Sequence, residues 1–196
     1  ALADGVPIIR RPMQSLISFL LTVKKPKAVL EIGTAVGFSS MLMSEYVSDN
    51  TIIDTIEKVP IRIKCAKENF ARYEKTERIN LFEGDAADVL KELAAAGNKY
   101  DFIFMDAAKG QYLNFLEPVL EMLAEDGLLV TDNVLQDGDI IQSRYAITKR
   151  DRTIHGRMRE YLYFLTHSER FKTVVLPVGD GAALSQVVPG SISNND

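Results

Sequence analysis

The sequence predicts an α/β domain: a doubly wound, largely parallel sheet of seven strands that ends in an antiparallel C-terminal hairpin. Three observations predict it. Short apolar runs bounded by polar residues recur along the chain, such as Tyr100-Asp-Phe-Ile-Phe-Met105 and Gly127-Leu-Leu-Val-Thr131, and suit strands covered on both faces. Segments of helical periodicity separate them, which implies right-handed crossovers and parallel neighbours. The tail breaks this alternation: 171–176 and 182–187 flank Pro177-Val-Gly-Asp-Gly181, which is hairpin chemistry.

In order, residues 12–23 read as an amphipathic helix ended near Lys24-Lys25-Pro26, and 28–32 as a short buried strand. Residues 33–37 are a glycine-bearing loop and 38–47 a helix. Strand 51–57 follows, and Pro60 at a first helical turn opens a helix to about Tyr73. Strand 78–82 precedes a helix over 86–96, which Gly97-Asn98 ends. Strand 100–105, a helix near 110–124, strand 127–131, a loop from Val134 to about Lys149 and a helix over roughly 150–168 lead to the hairpin. With no repeat, linker or low-complexity segment, residues 1–196 read as one domain.

The chain is 46% hydrophobic and 26% charged, an ordinary globular profile, and no stretch approaches a membrane span. The first 20 residues have no signal-peptide pattern, and the absence of an initial Met points to an N-terminus that is either truncated or processed. The single Cys65 cannot form an internal disulfide, which points to a cytoplasmic protein. A net charge of −4 excludes a globally basic nucleic-acid binder, though not a local basic patch.

Asp106 follows one of the two late strands, and Asp132 and Asn133 follow the other. Acids at the carboxyl edge of such a sheet point into the ligand crevice. Two carboxylates and an amide are hard oxygen donors that suit Mg²⁺, Mn²⁺ or Ca²⁺. The bland alternative for Asp132-Asn133 is a turn.

Glu31-Ile-Gly-Thr-Ala-Val-Gly-Phe-Ser-Ser40 lies at the first strand-to-helix turn. Its glycines, Gly33 and Gly37, allow a close ligand approach, and the helix start supplies free N–H donors. The spacing, with Ala35 between them, departs from the Gly-x-Gly-x-x-Gly of dinucleotide binders, and no phosphate-loop lysine follows. Glu31 before the loop and Glu57 at the second strand's end fit a nucleoside with a zwitterionic amino-acid tail. Glu57 is at the usual distance for a ribose-hydroxyl acceptor. Asp85 is placed to read an adenine edge, or simply to cap a helix. In this order on one sheet, these features point to S-adenosylmethionine.

The quoted glycine loop, Met105-Asp-Ala-Ala-Lys-Gly110, Val130-Thr-Asp-Asn-Val-Leu135 and Leu176-Pro-Val-Gly-Asp-Gly-Ala-Ala-Leu-Ser185 resemble the cation-dependent O-methyltransferases of catechol and caffeoyl-CoA. Within that family they resemble the bacterial branch that includes the tRNA 5-hydroxyuridine methyltransferase. The likeness runs from about Val6 to Gln186. It implies a class I methyltransferase, Rossmann-like fold that uses S-adenosylmethionine and Mg²⁺, with Asp106, Asp132 and Asn133 as metal ligands and Lys109 beside the reacting hydroxyl. It assigns the ribose to Glu57, the adenine side to Asp85 and Ala86, and the methionine end to Gly33, Ser39 and Asp106. Phe38 stands where many relatives have Tyr, and relatives carry a longer N-terminal helix. A homodimer is implied.

The substrate class implied is a hydroxyl beside a second oxygen. Segment 143–160 carries Arg144, Lys149, Arg150, Arg152, Arg157 and Arg159 against Asp151 and Glu160, six cations to two acids, or +4. His155 adds to it when protonated. Read sharply, this is a phosphate-contacting surface for tRNA; read plainly, it is a solvated helix face. Tyr112, Tyr145 and Tyr161 offer stacking faces for a splayed base, or core side chains. The O4 and O5 oxygens of 5-hydroxyuracil are vicinal like those of a catechol. The reading favours 5-hydroxyuridine in tRNA, with small catechol-like substrates as the alternative.

Overall fold

A computed structural model of the chain describes residues 8–135 and 152–188. The elements alternate as expected: α1 (Arg11–Lys24), β1 (Ala28–Ile32), α2 (Phe38–Ser44), β2 (Ile52–Glu57), α3 (Pro60–Arg72), β3 (Ile79–Glu83), α4 (Ala86–Ala95) and β4 (Tyr100–Met105). A 3-10 turn (Lys109–Gln111) then leads into α5 (Tyr112–Met122), followed by β5 (Leu123–Thr131), α6 (Arg152–His167), β6 (Phe171–Leu176) and β7 (Ala182–Val187). The seven strands form one sheet in the order β3-β2-β1-β4-β5-β7-β6. The first five are parallel, and β7 runs antiparallel between β5 and β6.

Both faces are covered, which is why the central strands read as apolar runs. On one face Met13, Ile17 and Leu21 of α1, Met43 of α2 and Phe70 of α3 pack against Val29, Ile53, Phe102, Phe104 and Val130. On the other, α4, α5 and α6 bury Leu90, Leu116, Val119, Met158, Tyr161 and Leu165 against Leu30, Ile103, Met105 and Leu129. Strand order reverses between β1 and β4, whose carboxyl ends therefore border the crevice where such sheets bind ligands.

Two boundaries differ from the sequence expectation by more than two residues. The second helix ends at Ser44 rather than Val47. Strand β5 begins at Leu123, four residues early: Leu123 pairs with Tyr100, and the register then slips so that Phe102 faces Leu128. Burial of Leu123 anchors the early start, and Gly127 permits the slip because a Cβ there would crowd the Ala124 carbonyl oxygen. Among the described residues no helix is long and apolar enough to cross a membrane.

Candidate active site

The carboxyl ends of β1, β2, β4 and β5 open onto a cavity of about 670 Å³. Gly33, Ser39, Glu57, Asp85, Ala86, Asp106, Lys109, Asp132 and Asn133 all line it. Of the residues read from the sequence, Glu31 and Gly37 are not in the wall.

The glycine loop shows why these positions cannot carry arbitrary side chains. Gly33 has φ +111°, and a Cβ on it would overlap the Asp106 carbonyl, so the glycine brings the ends of β1 and β4 together. Gly37 has φ +84° and packs against the Phe70 ring, which holds the turn rather than forming the wall. Between them Ala35 is also left-handed, at φ +48°. That turn aims the Ala35 N–H at Glu57 Oε2, 2.9 Å away.

Glu57 is 7% exposed and accepts three backbone hydrogen bonds: from Ala35 at Oε2, and from Lys58 and Val59 at Oε1, each 2.9 Å. Oε1 uses both of its lone pairs on these amides, whereas Oε2 accepts one bond and keeps a second lone pair able to accept a hydroxyl donor from the cavity. Asp85 caps α4 by accepting from Ala87 N–H at 3.0 Å, and pairs with Lys58 at 3.0 Å. The lysine's hydrogen bond holds the Asp85 carboxyl below its ordinary range. Cap and cavity wall are therefore the same residue.

Glu31 sits one layer behind the wall. It is fully buried, accepting from Ser40 Oγ and, at 2.6 Å, from Thr55 Oγ1, while its Oε1 is buried without a partner. Burial pushes its pKa up to about 7, against the opposing hydroxyl hydrogen bonds. A direct hold on a cofactor tail, as expected from the sequence, gives way to a place beneath Ser39 and Ser40. The cause is the inward pleat of Glu31, which the alternation of a half-read strand does not reveal.

The β4–β5 side is electrostatically different. Burial raises the Asp106 pKa to about 6, and Lys109 partly offsets this. Asp132 is raised to about 7 by burial, then by the Asp106 charge, with Asp180 adding to it. Asn133 has φ +62°, a conformation Asn tolerates, and this places its N–H 2.7 Å from Asp132 Oδ1 and its Nδ2 3.3 Å from Asp106 Oδ1. Among the described residues no three of His, Cys, Asp and Glu cluster as a metal cage. The set is two carboxylates and an amide whose O and N exchange places by a half-turn. Hard oxygen donors with unbalanced negative charge fit a hard divalent cation. The half-buried Lys109 is a cation facing both acids.

Among the wall residues not identified from the sequence are Arg10 and Asp180. Asp180, in the β6–β7 turn, forms an ion pair of 2.6 Å with Arg10 at the start of α1. The same turn accepts Val134 N–H at the Gly181 carbonyl and Leu135 N–H at the Asp180 carbonyl, clamping the segment just after Asn133. The hairpin motif was visible, but not its contact with a segment some 45 residues earlier.

For the tyrosines the structure selects the core alternative, and the basic reading narrows. Tyr112 and Tyr161 are buried, at 1% and 0% exposure, in edge-to-face contact 5.5 Å apart, and so offer no stacking face. Tyr112 donates to the Asp132 carbonyl at 3.2 Å, and Tyr161 pairs with Thr131 Oγ1 at 2.6 Å. His155 is 2% exposed and belongs to the inner face of α6, not to a surface patch. At about 100° per residue, Arg152 and Arg159 share one flank of α6 while Arg157 lies roughly 140–160° round from them. Arg144, Tyr145, Lys149 and Arg150 lie outside the described residues.

Residues 8–188 match the O-methyltransferase family model. An O-methyltransferase, ankF, of Aspergillus thermomutatus is 28% identical over 193 residues, covering 90% of this chain and 77% of that protein. A catechol O-methyltransferase of Niastella koreensis is 31% identical over 140 residues, covering 70% of this chain and 63% of that protein. A Staphylococcus aureus structure, provisionally described as a caffeoyl-CoA O-methyltransferase, superposes with a TM-score of 0.88 at 33% identity, covering 96% of this chain and 88% of that one. The Podospora anserina methyltransferase PaMTH1, bound to S-adenosylhomocysteine, does so with a TM-score of 0.81 at 28% identity, covering 92% and 80%. The chain belongs to the O-methyltransferase family and is a class I, S-adenosylmethionine-dependent enzyme.

Proposed function

We propose that the protein methylates a hydroxyl vicinal to a second oxygen, with a divalent cation held by Asp106, Asp132 and Asn133. The observation that carries this reading is two carboxylates in the cavity wall, Asp132 buried and Asp106 half-buried, with pKa values raised to about 7 and about 6. Retaining such a pair costs stability unless a positive charge joins it. When bound, a divalent cation supplies Lewis acidity and a template for the two acceptor oxygens.

The chain's own residues do the rest. Glu57, Asp85 and Ala86 line the nucleoside side, and Gly33 and Ser39 line the amino-acid side, of bound S-adenosylmethionine. The acceptor oxygen attacks the sulfonium methyl, the C–S bond breaks, S-adenosylhomocysteine leaves, and the hydroxyl proton is released. Lys109 is positioned to take that proton or to oppose the oxyanion's charge.

A small catechol-like acceptor fits best. Chelation needs only two adjacent oxygens, and relatives named for catechol and caffeoyl-CoA are 31% and 28% identical to this chain. The second reading, 5-hydroxyuridine in tRNA, keeps the same vicinal chemistry and rests on the cations of segment 144–159. The described part of that segment supports it less than the sequence did, because its arginines divide between two flanks of α6. A homodimer belongs to the same proposal: Phe19 and Val23, each 65% exposed on α1, offer an apolar surface, and light scattering tests it.

The deciding assay follows methyl transfer from S-adenosylmethionine to catechol and to 5-hydroxyuridine-containing tRNA, with Mg²⁺ and with chelator. Transfer to catechol that chelator abolishes supports the reading. Full activity in chelator removes the cation, and activity on tRNA alone selects the second acceptor.

A further inference from the structure

Lys109 and Gln111 reach the cavity from a three-residue 3-10 turn that has Gly110 at its centre. Such turns have weak internal hydrogen bonds and open readily on their own. This one is held from outside. Arg157, on α6, donates from its guanidinium to the Gly110 carbonyl at 2.7 Å. Ile154, one helical turn earlier, lies over the same residue, its Cγ1 3.9 Å from where a Gly110 Cβ would stand.

The platform behind these two side chains is rigid. Met158, Tyr161 and Leu165 of α6 are wholly buried, and Tyr161 is fixed to Thr131, next to Asp132. One helix therefore touches both halves of the acceptor site: the strand end bearing Asp132 and the turn bearing Lys109. The Arg157 side chain is itself exposed, so its bond adds little to global stability. Its consequence is local, because a catalytic group displaced by an ångström loses much of its effect.

We propose that Arg157 is a positioning residue for methyl transfer: by holding the Gly110 carbonyl it sets the turn that presents Lys109 and Gln111 to the acceptor. This rests on the function proposed above and gives Arg157 a role inside the protein in place of a nucleic-acid contact.

The test compares wild type, Arg157→Ala, Arg157→Lys and the surface control Lys172→Ala, all with Mg²⁺, S-adenosylmethionine and catechol. Arg157→Ala is expected to lower kcat about tenfold with the KM for S-adenosylmethionine and the melting temperature unchanged. Arg157→Lys, which keeps a donor, restores at least a third of the rate, and Lys172→Ala matches wild type. Hydrogen exchange, read without any acceptor, is faster over residues 107–112 in Arg157→Ala than in wild type or Arg157→Lys. Wild-type kcat in Arg157→Ala, or a rate loss in Lys172→Ala of the same size, overturns the proposal. Unchanged exchange over 107–112 overturns the tether whatever the activity. A wild-type protein that methylates no vicinal-dioxygen acceptor instead defeats the reading of function, and the exchange result still stands by itself.

Discussion

The two halves of the cavity solve opposite problems. On the β1–β2 side, Glu57 is satisfied before any ligand arrives: three backbone N–H groups point at its oxygens. On the β4–β5 side, Asp106 and Asp132 repel one another in a buried setting, with Lys109 opposing both. Hydrogen bonds to the charged form stabilise a carboxylate, whereas burial beside a like charge destabilises it. The β1–β2 side is thus preorganised by the fold, while the β4–β5 side carries negative charge that the fold only partly offsets.

The largest expected effect breaks the acceptor half. Asp132→Ala should lower kcat/KM for catechol methylation by about 10²-fold or more, from loss of a ligand and of acceptor orientation. It should also abolish the rise in melting temperature on adding Mg²⁺. A variant that keeps both would remove Asp132 from the site.

Stability separates the halves more sharply. Glu57→Ala strands three amide donors and should destabilise the protein by about 2–3 kcal/mol, measured by urea unfolding. Asp132→Asn should do the reverse in the metal-free protein, raising stability by roughly 1 kcal/mol because a buried like charge is removed. Destabilisation by both would erase the contrast.

Proton linkage gives a third test. Glu31 and Asp132, with pKa values near 7, and Asp106, near 6, hold protons more tightly folded than their ordinary values of 4.5 and 3.8 allow. Their contribution is fully present below about pH 4 and is lost as pH rises through 6 to 7. Metal-free protein should therefore melt lower at pH 8 than at pH 5.5, and saturating Mg²⁺ should flatten the acceptor-side part. Glu31→Gln should remove its own share, about 1 kcal/mol or roughly 2–4 °C. A melting temperature that climbs from pH 5.5 to 8 without metal would contradict the raised carboxyls.

The smallest effect concerns the brace between α5 and the acceptor strand. Tyr112→Phe deletes one neutral hydrogen bond to the Asp132 carbonyl and should cost about 1 kcal/mol, with a severalfold loss of kcat.

Much of this was legible in the chain. Apolar runs followed by Asp106 and by Asp132-Asn133 placed the acids at strand ends, because a strand buried on both faces has only its ends open to a polar ligand. Gly33, with Glu57 24 residues on, located the β1–β2 wall of the cavity through local turn geometry. That Glu31 lies behind the cavity wall was not legible, because facing inward or toward the cavity depends on the pleat and on the neighbouring strand. For Tyr112 and Tyr161 the sequence left stacking face and core both open, and His155 was counted with the basic segment, because an aromatic or imidazole side chain is compatible with either environment.

By itself, the sequence determined the order of strands and helices, the glycine loop and the donor types at two strand ends, all of which follow from local periodicity, sterics and side-chain chemistry. Only the tertiary structure decided that Asp180 and Arg10 wall the site, that the 178–181 turn clamps the chain after Asn133, and that Arg157 grips the Gly110 carbonyl. These contacts join segments from about 45 to 170 residues apart. No local propensity encodes such a meeting; it exists only once the sheet has closed and α6 has packed against it.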